Sequence, residues 1–202
     1  MINSVWILTR KWKMGQFNIV AIGSSAGGLK ALSTVLSGLS GDLPVAVLVV
    51  QHLEPRHKSL MAEILQRNCK MKVKEAEHGE DLNINAVYIA PPNKHMLAND
   101  GKIVLTSTAF VHFVRPSIDL LFESVAADFG DRSIGVILTG TGSDGSMGIR
   151  AIKERGGTTI ASDEKTSEFF GMPQAAIATG AVDFILPLQD IAHAIEVLVR
   201  GE

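Results

Sequence analysis

The chain has 202 residues, enough for one large domain with a proper core, and its 19 basic and 21 acidic side chains leave a formal net charge of −2. A balance so close to neutral lacks the basic field of a nucleic-acid binder. The single cysteine, Cys69, excludes an intrachain disulfide framework and a zinc site built from several thiolates, and no apolar run reaches the length that spans a bilayer.

Residues 1–16 hold both tryptophans, Trp6 and Trp12, and their basic residues follow the apolar run, whereas a secretory signal needs the opposite order. They read as an appendage to a domain of residues 17–202: a frayed tail, a start-site artefact with Met14 as the alternative start, or a small contact surface. After Phe17 two periods alternate. "NIVAIG" is a buried strand, and "AGGLKALSTVLSGL" repeats apolar residues at helical spacing. "PVAVLVVQH" is a second buried strand, followed by a helix with Leu60, Met61, Ile64 and Leu65 on one face. Shorter extended pieces come next, "KVKEA", "AVYIA" and "KIVLT", with a tight hairpin turn at Asp100-Gly101. "PSIDLLFESVAADFG" starts on proline and ends on glycine, as a helix should. "SIGVILTG", the helix "SMGIRAIKERGG", "TTIASD", the short helix "PQAAIATG", "AVDFIL" and the helix "LQDIAHAIEVLVR" complete the chain. Continuous apolar strands separated by helices predict an α/β domain. Its expected form is a doubly wound, mostly parallel sheet with helices on both faces and a small antiparallel hairpin insertion.

In such sheets reacting groups collect beyond the carboxyl ends of the strands. Ser24 and Ser25 follow the first strand, Gln51 and His52 the second, and the loop Thr141-Gly142-Ser143-Asp144-Gly145 follows "GVILTG". A hydroxyl, an imidazole and a carboxylate after separate strands form the inventory of a nucleophile, a base and an orienting acid. Ser25 fits the first role, because Gly23 to Gly27 match G-x-S-x-G between a strand and a helix. The bland alternatives stay open at this level. The two serines suit a helix cap, Asp144 suits a cap for the helix that follows it, and His52 suits a sheet-edge hydrogen bond. His57 is a rival base, whereas His78 reads as surface and His193 as structural or half-exposed. A phosphate cradle is a weaker alternative, since the glycines fall as G-x-x-x-G-G and not as G-x-G-x-x-G. Arg115 suits either a surface ion pair or a substrate contact, and Phe169 and Phe170 either packing or substrate.

The segments "IGSSAGG", "VVQHL", "EAEHGE", "YIAPPNKHM", "RPSID", "GVILTGTGSDG" and "GMPQAAI" resemble, in the same order, the catalytic domain of the CheB receptor methylesterases, from about Asn18 to Val199. The resemblance implies a triad of Ser25 as nucleophile, His52 as base and Asp144 as acid. It also implies backbone oxyanion donors at Thr141 and in the strand-two loop at His52, and substrate contacts at Arg115 and Met172. It further implies hydrolysis of glutamate methyl esters, and deamidation of glutamines, on the cytoplasmic helices of methyl-accepting chemotaxis receptors. No metal or organic cofactor is implied, and the expected location is the cytoplasm. Two departures stand out. Ala26 occupies a position where many members carry threonine, and the seventeen residues before the first strand are too few for the receiver domain of the best-known members. The expectation is therefore an open site or control by a separate regulatory protein.

Overall fold

The computed structural model describes residues 18–52, 60–111 and 114–201; the expected appendage, both tryptophans and His57 lie outside them. Four strands come first: β1 (Ile19–Ser24), β2 (Ala46–Gln51), β3 (Lys72–Glu75) and β4 (Ala86–Ile89). A hairpin of β5 (His95–Asn99) and β6 (Lys102–Thr106) follows, then β7 (Ser133–Ile137), β8 (Thr158–Ser162) and β9 (Phe184–Leu186). All but the hairpin join one sheet in the order β3-β4-β2-β1-β7-β8-β9, and every pair in it is parallel. The short pieces "KVKEA" and "AVYIA" thus belong to the main sheet. β4 is buried throughout and pairs with β2, which leaves β3 as the outer strand. The hairpin stands apart and is antiparallel. Its turn places Asp100 and Gly101 at φ 50° and 68°, the two positive angles that an Asp-Gly turn supplies.

Helices cover both faces because the strands alternate two apolar sets. Val20 and Ile22 point into one core with α1 (Gly28–Gly38), α2 (Met61–Gln66) and α6 (Ile191–Arg200). Ile19 and Ala21 point into the other, with the hairpin, α3 (Ile118–Phe129), α4 (Ser146–Glu154) and α5 (Gly171–Ala178). The helix expected after the second strand is only six residues long. Of its predicted apolar face, Met61 and Leu65 are buried, whereas Leu60 and Ile64 are 54% and 38% exposed. So short a helix lays a single i, i+4 pair on the sheet. Among the described residues no helix is long and apolar enough to cross a membrane.

The chain runs outward from β1 through β2 toward β3 and returns to β7 on the other side of β1. The helices after β1 and β7 therefore leave to opposite faces, α1 to one and α4 to the other. The carboxyl ends of β1 and β7, where the strand order reverses, are the place at which a doubly wound sheet binds and reacts.

Candidate active site

The parallel pairing of β1 with β2 sets Ser24 beside Gln51, so the next residues on each strand, Ser25 and His52, leave the sheet side by side. The Gln51 side chain ties them together. Its amide nitrogen donates to the carbonyls of Ser25 (2.7 Å) and His52 (2.9 Å), while its oxygen accepts from the Ser24 hydroxyl (2.6 Å). The approach is so close that a Cβ on Gly28 would lie 1.8 Å from that oxygen. On the other side Thr139, just past β7, accepts the Ser25 N–H on its carbonyl (3.0 Å), and its hydroxyl donates to the Ala26 carbonyl (3.0 Å). Neither serine caps α1. Ser24 is committed to Gln51, Gly27 occupies the cap position, and Ser25 Oγ has no hydrogen bond among the described residues. Ser25 is left half-buried at the rim.

His52 and Asp144 meet there: His52 Nε2 lies 2.9 Å from Asp144 Oδ2, with the two side chains 16% and 6% exposed. The acid takes Nε2, so Nδ1 is the nitrogen left for a base. Asp144 does not cap the helix that follows it. Its carboxylate turns to the start of α3, where Oδ2 accepts from Ile118 N–H (2.7 Å) and Oδ1 from Asp119 N–H (3.1 Å) and the Ser117 hydroxyl (3.0 Å). Burial by itself pushes the Asp144 carboxyl up, but the His52 hydrogen bond and the two helix N–H groups outweigh it and hold the group below its ordinary value. The start of α4 is served instead by Asp119, whose Oδ1 accepts from Gly145 N–H (2.9 Å) and Gly148 N–H (2.7 Å). Burial, together with the neighbouring Asp144 charge, raises Asp119 to about 6 despite those two bonds. Behind this pair His95 is fully buried; its Nδ1 accepts from Ser117 N–H (3.1 Å), so the ring proton sits on Nε2 and bonds Ala109 O (3.0 Å).

The other expected site residues divide. Thr141 is exposed, and its N–H has no acceptor among the described residues, as an oxyanion donor requires; the same holds for the N–H of Ala26, directly after Ser25. The His52 N–H is not available. It already donates to Ser24 O (3.1 Å), one more rung of the β1–β2 ladder, which corrects the expectation of a second oxyanion donor at that position. Met172 is 1% exposed and lies in the core, its N–H bonded to Gly140 O (2.9 Å), so it supports the Thr141 loop from behind instead of offering a side chain to substrate. Among the described residues Arg115 makes no ion pair. Asn93 Oδ1 and the carbonyls of Ser107 and Thr108 accept its N–H groups, and it stacks over Phe110 with 4.4 Å to the ring centroid. Phe169 is 41% exposed, and its backbone, not its ring, ties it to Thr139 and Gly140. His95, Ser117, Asp119 and Thr139 were not singled out by the sequence, and Gln51 was named only as a polar residue at the end of the second strand. Their signal was adjacency: each sits within or beside the segments "VVQHL", "NKHM", "RPSID" and "LTGTG".

A family model described as CheB methylesterase matches residues 20–195. A Moorella thermoacetica protein named protein-glutamate methylesterase/protein-glutamine glutaminase is 45% identical over 91% of this chain, which spans 44% of that relative. A Leptospira interrogans protein, named a putative protein-glutamate methylesterase/protein-glutamine glutaminase, is 41% identical over 88% of this chain and 92% of its own. The chain thus spans about half the length of the first two curated relatives it matches, at 44% and 55%. Among solved structures, the Thermotoga maritima CheB methylesterase catalytic domain superposes with a TM-score of 0.87 at 37% identity, covering 91% of this chain and 99% of that one.

Proposed function

Because the chain belongs to the CheB methylesterase family, we propose that it hydrolyses glutamate methyl esters on the cytoplasmic helices of methyl-accepting chemotaxis receptors, with Ser25, His52 and Asp144 as its catalytic groups. The observation that carries this reading is the 2.9 Å bond between His52 Nε2 and Asp144 Oδ2 at the rim to which β1 delivers Ser25. His52 Nδ1 takes the Ser25 hydroxyl proton as Oγ attacks the side-chain carbonyl of the ester. The tetrahedral oxyanion is held by the N–H groups of Thr141 and Ala26, each worth about 10²–10³ in turnover. The imidazolium, stabilised by Asp144, then protonates methanol as it leaves, and water attacks the acyl-serine by the same route. A glutamine side chain loses ammonia in place of methanol, so one site serves both reactions. The reaction belongs in the cytoplasm, where the receptor helices lie, and a separate regulatory protein is the second partner we propose.

A serine-directed fluorophosphonate tests this reading. Labelling is expected at Ser25 alone and is expected to vanish in His52→Ala; labelling elsewhere, or labelling indifferent to His52, rules out the assignment. Methanol release from methylated receptor then tests the substrate. Gly28→Ala is expected to slow both reactions by roughly 10²-fold, the order of loss that a 1 Å misplacement brings. The added Cβ must expel the Gln51 carboxamide, and the Ser25 and His52 carbonyls lose their common donor. The labelling rate measures the effect, and a variant labelled as fast as the parent removes Gln51 from the machinery.

A further inference from the structure

Asp119 and Asp144 each serve the other's helix. Asp144, which precedes α4, accepts the first N–H groups of α3, and Asp119, in the first turn of α3, accepts two N–H groups at the start of α4. Both carboxyls are nearly sealed from solvent, at 4% and 7% exposure. The exchange pins the Gly142–Gly145 turn between two helix ends, and that turn connects Thr141 to Asp144. It also has an electrostatic side. The α3 N–H groups draw Asp144's charge toward the helix and away from the imidazole, because a helix start is electropositive. A carboxylate at Asp119 offsets that pull.

We propose that Asp119 is a positioning residue of this site: it locks the Asp144 turn onto α4, and its charge behind Asp144 strengthens that carboxylate's hold on the His52 proton. The proposal rests on the reading of Ser25, His52 and Asp144 as the catalytic groups. Among the described residues, the titratable group that bears on Asp119 directly is Asp144, with His52 beyond it; β5 presents His95, bonded to the Ser117 N–H, and α4 the N–H groups of Gly145 and Gly148. Asp119 is raised to about 6, so it is charged above that pH and neutral below it. The sign follows. Negative charge near an imidazole favours the protonated ring, and Asp119 supplies such a charge from behind Asp144.

The test is Asp119→Asn, which keeps an oxygen for Gly145 and Gly148 and deletes the charge. The fluorophosphonate labelling rate of the full chain is followed against pH, since its acid limb reports the free-enzyme base. The limb is expected to move to lower pH, with a several-fold slower plateau, because the variant removes a negative charge behind Asp144. A limb that superposes on the parent's, or that moves up, overturns the proposal. A second measurement needs no Asp119 variant. In Ser25→Ala, the carboxyl carbon of Asp119 is expected to titrate at about 6 and to carry the Asp144 carboxyl signal with it in the same step. An Asp144 signal that ignores that step overturns the proposal as well. If Ser25→Ala still labels, the catalytic reading falls first. If labelling depends on Ser25 and His52 while Asp119→Asn leaves the profile unchanged, only the role of Asp119 is lost.

Discussion

Ser25→Ala is expected to lower methanol release by roughly 10⁶-fold, the order seen when a serine nucleophile is removed from a triad that acts as one unit. The residual reaction comes from substrate held against the Thr141 and Ala26 donors. The fold is expected to be untouched. Ser25 is half-buried and its hydroxyl has no hydrogen bond among the described residues, so its loss orphans no buried partner. A stability change within about 0.5 kcal/mol is expected, as for surface substitutions away from special features. Initial rates on methylated receptor, read beside a thermal melt, separate the two quantities. Activity retained with an intact melt would exclude Ser25 as the nucleophile.

Asp144→Asn is expected to lower turnover by about 10⁴-fold through the wrong histidine tautomer. The carboxylate now uses both oxygens: Oδ1 serves Asp119 N–H and the Ser117 hydroxyl, and Oδ2 serves Ile118 N–H and His52 Nε2. Asparagine retains one acceptor. With its oxygen kept on the Ser117 side, its NH₂ faces Ile118 N–H and His52. The ring must then accept at Nε2 and carry its proton on Nδ1, the nitrogen needed to deprotonate Ser25. With the amide reversed, the orphaned donors are Asp119 N–H and the Ser117 hydroxyl. Either way a buried donor goes unpaired, at a cost of about 1–3 kcal/mol. A lower melting temperature is therefore expected beside the lost turnover, which distinguishes this variant from Ser25→Ala. The ring nitrogen shifts of His52 report the tautomer, and an Nε2-protonated ring in the variant would refute this account.

Much of this was readable before any coordinates, and the particular residues show why. "VAIG", "VAVLVV" and "GVIL" are apolar without interruption, and only a strand covered on both faces tolerates that pattern, so β1, β2 and β7 follow from local sequence. A polar residue directly after such a strand must emerge at its carboxyl end, which picks out Ser25, His52 and the Asp144 loop. The short strands β3 and β4 were harder to assign to a sheet. At four residues each they carry too little pattern to reveal their partners, and pairing with β2 decides the matter. The second oxyanion donor failed for a related reason: whether His52 N–H is free depends on how far the β1–β2 ladder continues.

The sequence by itself determined the alternation of strands and helices, the polar residues that end up at the rim, and the family likeness, because each of these is written in neighbouring positions. Only the tertiary structure decided that Asp144 binds the start of α3 while Asp119 binds that of α4, that Gln51 joins the Ser25 and His52 carbonyls, and that Met172 is turned inward. Apart from the bond between Gln51 and its neighbour His52, those hydrogen bonds link residues 26 positions apart, and a side chain's acceptor is chosen by what folding brings within hydrogen-bond reach, about 3 Å, which no local pattern records.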